Sequence, residues 1–203
     1  MYKDGKKKCQ LKIYVESEAL KKETQIIDEK NIKRELMKFS KETLIKLLDA
    51  ACKDAWTCQN YWMVFTEKKF GTEVAVDADA EVFSKVVKAQ FYRVKRALNL
   101  SDNIQSLVEA IKFMPVQWPS AGFKYEFVEV SEKKLVMRII ECPMGRERRK
   151  VGLPYLPCKR AGMACYESLA KAVNPKIKVN CLRCPPDPVP ENVMCEWEFL
   201  LED

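Results

Sequence analysis

The side chains with the most chemical reach in this chain are its nine cysteines: Cys9, Cys52, Cys58, Cys142, Cys158, Cys165, Cys181, Cys184 and Cys195. No histidine accompanies them. That absence removes the Ser-His-Asp triad, the Cys-His dyad and every His-ligated zinc or haem site. Thiols can still ligate a metal, form a redox cluster or pack as small buried hydrophobes. Cys181 and Cys184 form a CxxC, a spacing that zinc and redox sites both use. The opening residues, MYKDGKKKC, lack an apolar stretch after their charges, so a cytoplasmic, reducing location without disulfides is expected.

The elements that must position these thiols can be read from periodicity. Ser40 precedes apolar residues at helical spacing: Leu44, Leu47, Leu48, Ala51, Ala55, Trp56, Trp62, Met63 and Phe70. Gly71 stands where a helix would stop. Asp77 is the expected cap of a second helix, with Val82, Phe83, Val86, Val87, Phe91 and Val94 on its stripe. Ser101 is the expected cap of a third, ending near Pro115. After Pro119 the pattern becomes strand-like at residues 123–128 and 135–141, with a turn at Ser131–Lys134. Residues 143–157 read as a loop rich in Gly, Pro and Arg, 160–173 as a helix, and 176–181 and 195–201 as strands. The expected fold class is α+β: an N-terminal helical layer on a four-stranded antiparallel sheet, in β-β-α-β-β order. Residues 1–33 read as a Lys-rich extension, and 34–203 as one domain holding a Cys-rich site in 142–195.

This order brings cysteines together. If the second strand ends at the top at Cys142, the next helix starts there after Cys158. The third strand then ends at Cys181 and Cys184, and the fourth starts beside them at Cys195. A metal site made of Cys142, Cys158, Cys181, Cys184 and Cys195 is therefore expected, holding zinc or a [4Fe–4S] cluster. Cys9, Cys52, Cys58 and Cys165 fall elsewhere. A redox thiol cluster and inert buried thiols are the alternatives.

The charge map points the same way. Residues 133–160 hold nine basic residues against two acidic ones, the whole of the chain's +7. Arg146, Arg148, Arg149, Lys150, Arg160 and Arg183 lie at the same end as the thiols. There they could offset a dianionic centre or hold a small anion. The remaining chain is neutral in sum, which argues against nucleic acid as a partner. Trp56, Trp62 and Trp118 are candidates for lining a ligand pocket. Glu196 and Glu198 alternate with Trp197 and Phe199, and so read as a solvated strand face. No apolar stretch is long enough to span a membrane.

The stretches ECP, GLPYLPCK, CPPD and CEWEF, with the earlier YWMVFTEKKFG, resemble an uncharacterised family of bacterial and archaeal cytosolic proteins over about residues 34–201. More distantly the chain resembles the L-2-amino-thiazoline-4-carboxylate hydrolase-like proteins, in which Cys142, Cys158 and Cys195 match cysteine positions. The helical half followed by β-β-α-β-β is similar to the 4-vinyl reductase domain and the small TRAPP subunits. That resemblance implies a hydrophobic ligand between helices and sheet and, in some relatives, a Cys-ligated metal. The leading expectation is a cytosolic metal-binding protein with an all-cysteine centre. The alternatives are a small-molecule or acyl-chain sensor or carrier with structural zinc, and a metal-dependent hydrolase or lyase acting on a small anion. A homodimer is compatible with each.

Overall fold

The computed structural model describes residues 27–190 and 192–202. The chain divides into two compact units, Met1–Ser40 and Lys41–Asp203. In the first, helix α1 (Glu29–Leu36) is capped by Asp28, whose side chain accepts from the Asn31 N–H at 2.8 Å. Cys9 lies outside the described residues.

The second unit is α+β, with five helices and a four-stranded antiparallel sheet among its described residues. Helix α2 (Lys41–Phe70) starts directly after Ser40, as the sequence predicts. Its burial differs from the expectation: only Cys52, Trp56 and Met63 are buried, and Leu47, Leu48 and Phe70 stay exposed. A 30-residue helix whose apolar side chains are spread around its circumference has more apolar surface than one neighbour can cover.

Helix α3 (Thr72–Leu98) begins immediately after Gly71 and not at Asp77. Gly71 at φ +87° reverses the chain in one residue, a conformation that L side chains resist. Asp77 is instead an interior residue of α3, 2.8 Å from Arg160 Nε. Asn99, at φ +53°, ends α3. Helix α4 (Ile104–Phe113) is capped by Asn103, which accepts from the Ser106 N–H at 2.8 Å. Ser101, the expected cap, is two residues too early. Asn103→Ala is expected to cost about 1 kcal/mol in urea unfolding, because a buried helix start loses its acceptor.

Strands β1 (Lys124–Val130) and β2 (Lys134–Glu141) form a hairpin closed by Ser131, which exchanges backbone and side-chain hydrogen bonds with Lys134. Two helices follow. Residues 143–150, expected as loop, form α5 (Pro143–Lys150). Proline is well placed at a first helical position, where its missing N–H costs nothing, and the Arg-rich stretch after it is helix-competent. Helix α6 (Lys159–Val173) then leads to β3 (Ile177–Arg183) and β4 (Cys195–Leu201). The sheet order is β1-β2-β4-β3, so the last strand is inserted between two earlier ones.

Trp197 and Phe199 of β4 are fully buried against α6. Gly162 permits this approach: a Cβ there would stand 2.5 Å from Trp197 Cζ2. Helix α6 packs in turn on α3, and α3 on α2. The opposite sheet face also departs from expectation. Glu196 is 4% exposed, held by Arg138 at 2.8 Å and with Arg183 Nε at 2.9 Å. Cross-strand ion pairs cover that face, so it is not simply solvated.

Candidate functional site: a cavity lined by thiols

Between α2, α3, α6 and the end of the sheet lies a cavity of about 130 Å³. Each element contributes for a local reason. Strand β2 ends at Cys142, and Cys158 immediately precedes α6. Cys165, two turns on, shares the face of α6 that carries Cys158. Cys184 follows β3 and Cys195 opens β4. All five line the cavity. Four of them, Cys142, Cys158, Cys184 and Cys195, also line an adjoining pocket with Gly145, Tyr155 and Met194.

Two placements differ from the expected ligand set. Cys165 belongs to the cavity wall although its position inside a helix, away from any element end, gave no sign of it. Cys181 is absent from the wall. It sits on edge strand β3, hydrogen-bonded to Cys184 and near Lys159. Cys52 is buried in α2 and Cys58 is exposed. All the cysteines of the described residues are free. Among those residues, no group of three or more cysteine, aspartate or glutamate side chains is disposed to hold a metal ion.

The environment sets the protonation of these thiols. Burial pushes Cys142 up to about 11, against the opposing pull of the Gly145 and Met144 amides. Burial also raises Cys158 and Cys165. Cys184 and Cys195 share a hydrogen bond that raises Cys184 and lowers Cys195. A buried S–H donating to a neighbouring sulfur makes the acceptor the better anion. Cys195 is thus the member of the pair more ready to ionise.

The site also holds a carboxylate. Asp79 of α3 lines the cavity, and burial raises it to about 6 while a hydrogen bond donated by Gln59 Nε2 opposes the shift. The signal was present in the sequence: Asp79 sits three residues after Val76 and four before Phe83, inside the apolar stripe of α3. Gln117 is 3% exposed and donates to Tyr166 Oη at 3.0 Å, while its Oε1 has no donor. Trp56 Nε1 likewise has no acceptor.

The expected tryptophans separate. Trp56 is on the wall, its ring 5.1 Å from that of Phe123. Trp62 lines a second groove, shared with Trp56, Ala55, Cys58 and Val86, and is absent from the cavity wall. Trp118 ties its loop to α2 by donating to Asp49 Oδ1 at 3.0 Å.

Five of the six basic residues pair with carboxylates. Arg148, 8% exposed, reaches Glu67 with both terminal nitrogens, at 2.5 and 3.2 Å, and Pro154 O with Nε at 2.7 Å. Arg160 pairs with Glu73 and Asp77, and Arg183 with Glu196. Arg146 and Lys150 both pair with Glu147, and Arg149 lies over Tyr155. None of these six lines the cavity. A neighbouring carboxylate is a stronger partner for a guanidinium than a neutral thiol, and the thiols here are mostly neutral.

No helix among the described residues is long and apolar enough to cross a membrane. No curated protein and no solved structure gives a significant match to the chain. The profile of a family of unknown function, DUF6125, matches residues 34–201. With that match covering most of its length, the chain belongs to the family of unknown function DUF6125.

Proposed function

We propose that the protein binds a small, chiefly apolar molecule in the thiol-lined cavity, as a sensor or carrier. The observation that supports this reading is the composition of the wall. It is built from Met63, Val76, Phe83, Val116, Phe123 and Ile139 with few polar groups among them, chiefly Asp79, Gln59, Gln117 and the thiols. Ligand sites combine an apolar lining with a small number of convergent polar groups in this way. The volume suits a molecule near the size of benzene, which fills engineered cavities of about 150 Å³. The sequence resemblance to 4-vinyl reductase and small TRAPP-subunit domains agrees with a ligand between helices and sheet.

Benzyl alcohol is expected to raise the melting temperature and quench tryptophan fluorescence, since Trp56 and Trp197 are on the wall. Ala161→Leu, which fills the same cavity, should abolish both effects. An unchanged response in Ala161→Leu would place binding elsewhere.

A second reading is an all-cysteine zinc or iron–sulfur centre, favoured by the four cysteines from separate segments that line one pocket. It requires the sulfurs to draw closer around the ion than they stand. Elemental analysis and visible absorption of anaerobically purified protein test it. A bound metal retained in Cys181→Ser and lost in Cys184→Ser is the expected pattern for this reading. Protein purified without metal under those conditions would end it. No lysine or arginine lines the cavity, so the wall offers a small anionic substrate no counter-charge.

A further inference from the structure

The cavity holds a carboxylate with no counter-charge. Asp79 Oδ1 accepts from Gln59, and among the described residues no lysine or arginine pairs with the carboxylate. Lys85, the cation nearest in sequence, pairs with Glu81, and Arg160, which reaches α3 from α6, pairs there with Glu73 and Asp77. A second acceptor on the same wall, Gln117 Oε1, is buried without a donor. The thiols facing Asp79 from β2 and α6, those of Cys142, Cys158 and Cys165, add no positive charge.

Burying a carboxylate among apolar groups without a cation is costly, and so is leaving a buried carbonyl oxygen unpaired. The wall therefore has two unmet demands of the same sign: positive charge and N–H donors. The aromatic rings of Trp56, Phe83 and Phe123, which pack on one another at 5.1 and 6.2 Å between centroids, present π faces that also attract a cation. An ammonium group has the chemistry each of these asks for: positive charge, up to three donors and a partner for π faces.

Resting on the reading of this cavity as a ligand site, we infer that its ligand is a small amine: an apolar body carrying a protonated nitrogen that pairs with Asp79. The rest of the wall accommodates the body, and the unpaired Trp56 N–H can donate to an oxygen on it. An inorganic cation would satisfy the charge but leave the apolar wall uncovered.

Benzylamine and benzyl alcohol separate the charge from the shape, because they differ only in the terminal group. Isothermal titration at neutral pH should show benzylamine binding the wild-type protein at least about tenfold more tightly, the value of one charge-assisted pair. Asp79→Asn, which keeps the side-chain shape, should bind the two probes equally. If wild-type protein binds both with the same affinity, the amine inference is overturned and the ligand cavity stands. If Asp79→Asn keeps the preference for benzylamine, another group selects it and the inference is overturned. If neither probe binds, the ligand-site reading falls with it.

Discussion

Arg148→Ala should lower the free energy of unfolding by about 3 kcal/mol, the cost of breaking a buried ion pair from one side. Arg148 is among the most buried charged residues described, and its guanidinium joins α5 to Glu67 of α2 and to the Pro154 carbonyl. Its removal leaves a half-buried carboxylate and a carbonyl without their donors. The pair also has a pH signature. Arg148, by hydrogen bonding, holds Glu67 below its ordinary value of 4.5. A carboxylate with a depressed folded value stabilises fully above its unfolded value, and that contribution is lost as pH falls through the folded one. The gap between wild type and Arg148→Ala, followed by urea unfolding, should therefore be widest above pH 4.5 and shrink in stronger acid. Arg148→Met combined with Glu67→Leu should recover much of the loss. A single-variant loss below about 0.5 kcal/mol would mean that the pair behaves like an exposed one.

Asp79→Asn should act in the opposite sense and stabilise the ligand-free protein by about 2 kcal/mol near pH 7. Burial raises Asp79 from 3.8 to about 6. A carboxyl whose folded value is raised holds its proton longer in the folded state, so stability falls as pH rises from the unfolded value to the folded one. Raising the carboxyl that far corresponds to about 3 kcal/mol, reduced here because the side chain retains some contact with solvent. Asn cannot ionise and still accepts from Gln59. The variant and wild type should therefore unfold alike near pH 4 and diverge by pH 7. Cys142, Cys158 and Cys165, which face Asp79, keep their protons throughout this window and do not contribute. A pH-independent difference would locate the effect in packing. Taken with the amine inference, the carboxylate is a group whose presence weakens the fold and whose role lies in binding.

Much of the site was legible because strand and helix ends are legible. Cys142, Cys158, Cys184 and Cys195 each sit beside the boundary of an element, so the chain order alone brings them to one end of the sheet. Cys165 and Asp79 sit inside helices, where the rotation that aims a side chain is set by packing between α3 and α6. Only the polar break in the stripe of α3 pointed to Asp79. The charge map failed for a different reason. Nine basic residues clustered in sequence imply a basic surface only if their partners are also near in sequence. Here Glu67, Glu73 and Asp77 come from α2 and α3, some 80 residues away. Helix α5 was masked by Pro143 and Gly145, which read as loop formers, although proline at the first turn is a helix start.

The insertion of β4 has a consequence for how the molecule is made. While the chain leaves the ribosome, every other element described is available before this strand. Until it arrives, the β1–β2 hairpin and β3 have no shared edge, because β4 is the strand that bonds to both. The nascent chain must carry an open gap between two unpaired strand edges, a state exposed to wrong pairing. The same strand brings Cys195 and Trp197, so the pocket has no floor until the gap is filled. If the cavity binds as proposed, competence to bind is coupled to completion of the sheet: a nascent chain that has folded its helices but not received β4 would have a core and no site.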